Sequence, residues 1–396
     1  GILNIYNNTI RDCSISGIKF GFCLKSTINV HHNTIINCSY SGKGGGLDFL
    51  SSDNVTAYSN IIKDCYIAIG VTEYDSQRPY RCEHCNFTDN QVVNCECVLG
   101  LDTDLEWGAQ GLSKSINASK IISGFTASGY RSLYYHAVNR SGAPDLFSSK
   151  IGSLFSAASE GETITVFPGY YSIGSFTINK RVYLKSVLGP KYTTLRGTIT
   201  IQQPNYLLTG FDINAYGYNY GIHITGTSNI TICNCVIHDG KYNVYIESSN
   251  NVTLKDVVLR DGDSLNLIAY DYQCERELLL INVTATGGKD SEQQNRFMYI
   301  IGFSKVVICN SSFYDNKGGF TVDNTANLIV INMVYRNNTR ELVFGCQSSL
   351  VLNRLRFIDM PRTMQVHAKE VVMKNCLIQN VTYTGYSVAL YISAQD

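Results

Sequence analysis

One short phrase returns along this chain at a near-constant interval, and it constrains the fold more than any other property. It reads as an apolar run, a polar corner, an alternating run and then Asp or Asn. It appears as "NITICNCVIHDG" from Asn229, "NVTLKDVVLRDG" from Asn251, "KVVICNSSFYDN" from Lys305, "NLIVINMVYRNN" from Asn327, "SLVLNRLRFIDM" from Ser349 and "EVVMKNCLIQNV" from Glu370. The interval is 22 residues from Asn229 to Asn251, from Lys305 to Asn327 and from Asn327 to Ser349, and 21 from Ser349 to Glu370. Nearer the start it is 26 from Gly1 to Thr27 and 27 from Thr27 to Asn54. Each unit holds short strands with period-two alternation, separated by Asn, Asp, Gly or Ser. No unit of that size buries its apolar face alone, so successive units must stack. Each strand then pairs with its equivalent one coil on, about 4.8 Å away. The expected fold is all-β: a right-handed parallel β-helix (β-solenoid) with three sheets per coil. Two Greek-key sandwiches are the rival, and the regular return of one phrase argues against them.

Composition narrows the setting. Acidic and basic residues balance at 32 each, and no basic stripe marks a nucleic-acid partner. No apolar run approaches the roughly 18 residues of a membrane span. Charged residues make up only 16%, which leaves an amide- and hydroxyl-rich surface suited to an extracellular location or to a cell or virion surface. Asn-x-Ser/Thr sequons stand at Asn7, Asn37, Asn54, Asn86, Asn117, Asn139, Asn229, Asn251, Asn282, Asn310, Asn337 and Asn380. They read as glycosylation sites or, alternatively, as the ordinary start of a strand after a turn. The 14 cysteines are many for a reducing compartment. Cys82 and Cys85 with Cys95 and Cys97 offer a zinc-like spacing, but disulfides or buried thiols are the preferred reading, and no metal or cofactor is expected. Cys13, Cys38, Cys65 and Cys95 each close an equivalent phrase ("TIRDC", "TIINC", "IIKDC", "QVVNC") and are expected to stack as an internal ladder.

One stretch departs from the repeat. In "IGSLFSAASEGETITVFPGYYSIGSFTINKRVYLKSV", Ile151, Leu154, Phe155 and Ala158 fall at helical spacing, which predicts a short capping helix within 146–159. The phrase Thr163 to Leu184 that follows resembles the first coils of the pectin-lyase-like superfamily, in particular NosD-like or carbohydrate-binding-and-sugar-hydrolase repeats. That resemblance implies a right-handed parallel β-helix with a helical N-terminal cap. It covers 145–396 and, through its repeats, 1–105, and it carries fold rather than activity. The expected organisation is therefore 1–105 as tail-like coils, 106–144 as an irregular linker or contact arm, and 145–396 as a capped β-helix.

The two ends raise a further expectation. "SVALYISAQD" followed by "GILNIYNNTIRDC" reads as one ordinary repeat, and an uncovered coil leaves a row of open backbone groups. Head-to-tail stacking of copies, with Ile2, Ile5, Leu390 and Ile392 at the joint, would build a filament or sheath. A window from a longer tandem-repeat protein, or a shortened chain, explains the same reading, and Gly1 in place of Met fits either.

Chemistry is sparse. The Gly-His-Gly and Arg-x-Lys phrases of polygalacturonases are absent, and "YGYNYGIHI" lacks the Asp and Pro of the alginate-epimerase phrase it faintly resembles. No catalytic residue is therefore assigned. Asp102, Asp104 and Glu106 share a face if extended, and bind calcium, act as acid and base, or form a solvated turn. Asp271, Glu275, Arg276 and Glu277 read as surface ion pairs. His31 and His32, adjacent in a strand, are expected on opposite faces, and His238 with Asp239 as turn hydrogen bonding. Tyrosines clustered along the chain, Tyr206, Tyr216, Tyr218 and Tyr220, and Tyr130, Tyr134 and Tyr135, offer rings for sugars or simple packing. The function expected is an extracellular, glycosylated structural β-solenoid. The alternatives are a polysaccharide-binding or polysaccharide-degrading β-helix, and a viral tail-spike or adhesin.

Overall fold

The computed structural model describes the chain apart from residues 22, 24, 39–44, 51, 53, 74–84, 96, 104–124, 129–135, 140–145, 149–150, 167–168, 187, 272–275, 290–295, 383–388 and 394–396. Its residues group into two compact units: Gly1–Tyr171 with Val182–Thr193, and Ser172–Arg181 with Thr194–Asp396. Strand pairing is parallel throughout the coils, and the protein is a right-handed parallel β-solenoid.

In the first unit, three sheets are built one strand per coil. Ile2–Tyr6 pairs with Thr27–His31, which pairs with Val55–Tyr58 and then Cys85–Thr88. The register aligns like with like. Ile5, Val30 and Ala57 form one inward row, and Ile10, Ile35, Ile62 and Val92 another. Residues between them face out, which is the period-two alternation of the sequence made visible. Phe20 and Phe49 stack with ring centroids 5.2 Å apart, as equivalent residues of neighbouring coils must.

The corners are set by asparagine. Asn33 donates its side-chain amide to Asn60 Oδ1 at 3.0 Å, and Asn60 to Asn90 Oδ1 at 2.9 Å. All three are buried, and each amide also bonds main-chain carbonyls that the turn would otherwise leave unpaired. The cysteine ladder is present as expected. Cys38, Cys65 and Cys95 are buried beneath Cys13, all are free thiols, and each donates to the carbonyl two residues back. Burial raises the Cys38 thiol to about 11 and Cys235, its counterpart in the second unit, to about 12, so both stay protonated.

Helix Ile151–Ala157 lies within the expected span, with Ile151, Leu154, Phe155 and Ala158 buried. The expected irregular arm at 106–144 does contain regular structure where it is described. Phe125–Ser128 adds in parallel to Asn90–Val93, and His136–Asn139 pairs antiparallel with both Leu146–Ser148 and Thr163–Val166. This local antiparallel patch is what the helix packs against.

In the second unit each coil runs through three sheets in turn. The first sheet contains Tyr220–Thr225, Tyr242–Glu247, Leu265–Tyr270 and Arg296–Ile301, and continues to Leu390–Ser393. Its inward rows are Ile222, Val244, Leu267, Met298, Phe320, Leu342, Met364 and Leu390, and Ile224, Ile246, Ala269, Ile300, Val322, Phe344, Val366 and Ile392. In the third sheet Phe313, Tyr335 and Phe357 stack, and the fully buried Tyr335 hydroxyl donates to the carbonyls of Arg340 and Glu341, both at 3.2 Å. A second buried asparagine ladder, Asn243, Asn266, Asn316 and Asn338, lines the corner between the third sheet and the first.

Candidate functional site

The outward face of the first sheet in the second unit gathers the largest set of aromatic and ionisable side chains among the described residues. Outward register rows run His223, Tyr245, Ile268, Tyr299, and Thr225, Glu247, Tyr270, Ile301, with Tyr220 and Tyr242 at the strand starts. The rings form a continuous strip. Centroids lie 4.9 Å apart for Tyr220 and Tyr245, 5.8 Å for Tyr242 and Tyr245, 6.0 Å for Tyr245 and Tyr270, and 5.9 Å for Tyr270 and Tyr299. Each ring is half-buried. The strip is polar at both ends. His223 Nε2 meets Glu247 Oε1 at 2.9 Å, while Arg296 lies over the Tyr299 ring at 4.3 Å and donates from Nε to Thr321 at 3.2 Å.

Sequence clustering misplaced these tyrosines. Of the group Tyr206, Tyr216, Tyr218 and Tyr220, only Tyr220 joins the strip; Tyr206 is core at 1% exposure and Tyr216 stands free at 65%. Residues adjacent in sequence fall on different faces, and the strip is made by residues one coil apart. Aligning the repeats on their inward rows and reading one outward column recovers Tyr220 with Tyr242 and His223 with Tyr245. Tyr130, Tyr134 and Tyr135 lie outside the described residues.

A second polar cluster lies on the third sheet. His238, 5% exposed, places Nδ1 2.7 Å from Asp239 Oδ2 and Nε2 3.0 Å from Asp212 Oδ1, the latter a close charge contact without good hydrogen-bond alignment. Thr194 donates to the other oxygen of Asp212 at 2.9 Å. Burial alone lowers the His238 pKa, but the two carboxylates outweigh it and the net shift is upward. Asp212, a coil earlier, was not visible from the His238–Asp239 pair.

The remaining candidates separate clearly. The Asp271–Arg276 pair, 3.2 Å apart, is not a surface one, since the Asp271 carboxylate is fully buried. Glu277 meets Lys305 at 3.7 Å on the surface, as expected, and Glu275 lies outside the described residues. The side chain of Asp102, and all of Asp104, Glu106 and Cys82, also lie outside them; among the described residues no group of three or more metal-ligating side chains converges.

The sequons have a common geometry. Asn7, Asn37, Asn54, Asn229, Asn251, Asn282, Asn310, Asn337 and Asn380 are all exposed and all hold left-handed φ between 50 and 59°. Several donate their side-chain amide to the neighbouring coil: Asn251 to Asn229, Asn229 to Asn205, Asn282 to Asp256, Asn337 to Asp315 and Asn380 to Asp359. A left-handed corner, an inward residue and an outward β-branched residue together spell Asn-x-Thr, so the coil itself generates the motif. Only the backbone of Asn86 and Asn139 is described, and Asn117 lies outside. Of the joint residues, Ile5, Leu390 and Ile392 face inward, but Ile2 sits in the outward row with Thr27, and Leu3 takes the inward place.

Sequence comparison agrees with this architecture. The family model "Right handed beta helix region" matches residues 1–106 and 200–395. The chain belongs to that right-handed β-helix family, and no curated protein matches it.

Proposed function

We propose that the protein binds polysaccharide along the outward aromatic strip of its second unit. The strip itself supports this reading: Tyr220, Tyr242, Tyr245, Tyr270 and Tyr299 bring adjoining, half-buried rings together over successive coils. A pyranose ring offers an apolar C–H face that stacks on an aromatic ring, and tyrosine hydroxyls add hydrogen bonds to its edges. The reading is one of binding, carried by the rings; the groups at the strip's ends, His223 with Glu247 and Arg296 with Tyr299 and Thr321, are assigned no catalytic role. Affinity electrophoresis against a panel of neutral and acidic polysaccharides tests the reading. Retardation is expected for at least one polymer, with about a tenfold loss for Tyr245→Ala or Tyr270→Ala, the effect of removing one stacking contact. No retardation by any polymer, or retardation unchanged in both variants, contradicts it.

A second reading, an extracellular structural solenoid that assembles head to tail, is favoured by the end coils. Leu3 is 39% exposed and Ile392 51%, although both occupy inward rows whose other members are buried. A further coil would cover them, whether from a longer stretch of the same protein or, in this reading, from a second copy. The sequon asparagines are exposed, so this reading extends to a glycosylated protein outside the cell or on a cell or virion surface. Intact mass of material from a glycosylating host tests that part, and the bare polypeptide mass would contradict it.

A further inference from the structure

His31 and His32 were expected on opposite faces, as neighbours in a strand are. They are instead brought edge to edge: His31 ends the strand Thr27–His31, and His32 takes the corner with a left-handed φ of 55°. Their Nδ1 atoms lie 2.9 Å apart. We propose that this pair is a binding site for a nitrogen-preferring divalent transition ion, Cu²⁺ foremost.

The geometry fits that ligand class. Imidazole is a favoured ligand of copper, nickel and zinc, and Cu²⁺ binds a given nitrogen site most tightly of the first-row divalent ions. Metal–nitrogen bonds of about 2.0–2.1 Å at a right angle set two donor atoms about 2.9 Å apart, the edge of a square-planar site. The His31 ring is also fixed in advance. It is sandwiched between Tyr6, at 5.0 Å and 1° between planes, and Tyr58, at 4.7 Å and 13°. Both its faces are covered, so its nitrogens are reached only in the ring plane, the direction along which imidazole binds a metal. His32 stands perpendicular to it, at 86°, and is exposed. Within the pair one Nδ1–H donates a hydrogen bond to the other Nδ1. On metal entry that proton moves to Nε2 of the same ring, leaving two neutral donors and no net proton change. No third His, Cys, Asp or Glu among the described residues completes the set, so water fills the remaining positions.

Calorimetric titration of the intact chain with CuCl₂ near neutral pH, paired with electron paramagnetic resonance, tests the site. His31→Phe keeps an aromatic ring in the stack, and His32→Asn keeps a residue at ease with left-handed φ, so both variants should fold, with circular dichroism as the check. One ion per chain is expected in the wild type, with nitrogen splitting from two imidazoles. Either variant should lose at least tenfold in affinity and show the splitting of one, while His367→Gln, at a histidine of the second unit outside the aromatic strip, binds as the wild type. Wild-type chain that takes up no copper, or variants that bind it unchanged with the same spectrum, would overturn the proposal.

Discussion

Asn316 shows what a single corner residue contributes here. Its buried amide donates to the carbonyls of Ala285 and Tyr314 and to Asn338, and its oxygen accepts from the Gly288 amide at 3.0 Å. Asn316→Ala leaves these groups buried and unpaired, an expected loss of about 3 kcal/mol in chemical denaturation. Asn251, exposed at a left-handed corner, donates its side-chain amide to Asn229 and is open to water. Asn251→Gly keeps the backbone at ease and should cost no more than about 1 kcal/mol. Equal losses for the two would contradict the distinction between inner and outer ladders. His238 supplies a pH test. Its pKa is raised above 6.5, so its contribution to stability is fully present below 6.5 and fades as pH rises through the raised value. The difference in Tm between wild type and His238→Gln should therefore narrow from acid to alkaline pH; a constant or widening difference contradicts the assignment. At this scale the ladder cysteines and the turn asparagines were legible, because equivalent positions in a repeat must stack. The His31–His32 contact was not, because one left-handed residue reverses the alternation that a strand reading assumes.

Among the elements, helix Ile151–Ala157 is the exception to the coil. Its four apolar positions were legible because helical spacing differs so clearly from period two. Its partners were not. His136–Asn139 lies outside the repeat, and its antiparallel pairing with Leu146–Ser148 and Thr163–Val166 carries no repeat signal. Leu154, fully buried, ties the helix down. Leu154→Ala should cost about 2–5 kcal/mol and speed amide exchange in His136–Asn139 and Leu146–Ser148, the strands beneath, while Phe313–Phe357 exchanges as before. Uniform loss of protection along the chain would show that the helix is not a local clamp.

For the whole molecule, the repeat interval fixed the parallel solenoid because no other arrangement buries so many equivalent apolar rows. The surface was less legible, since an outward column is written one residue per coil and neighbouring residues belong to different faces. Tyr242 and Tyr245 share a strand with the core residues Val244 and Ile246 and are separated from Tyr270 by a full coil. The end coils follow the same logic. If copies join through Leu3, Ile5, Leu390 and Ile392, Ile5→Asp with Ile392→Asp should abolish fibres seen by electron microscopy and leave each chain folded. A wild-type chain that stays monomeric in sedimentation at high concentration contradicts the joint. The most direct test concerns the strip. From Tyr220 to Tyr299 it crosses four coils spaced about 4.8 Å apart, close to the repeat of an extended sugar chain, so a bound chain should run along the coil axis. Calorimetric titration with a length series of the best-binding oligosaccharide measures this. Affinity should climb with each added ring and level off at about four, the number of coils bearing the strip, with Tyr270→Ala flattening the climb. Affinity that is independent of length, or a climb untouched by Tyr270→Ala, would contradict it.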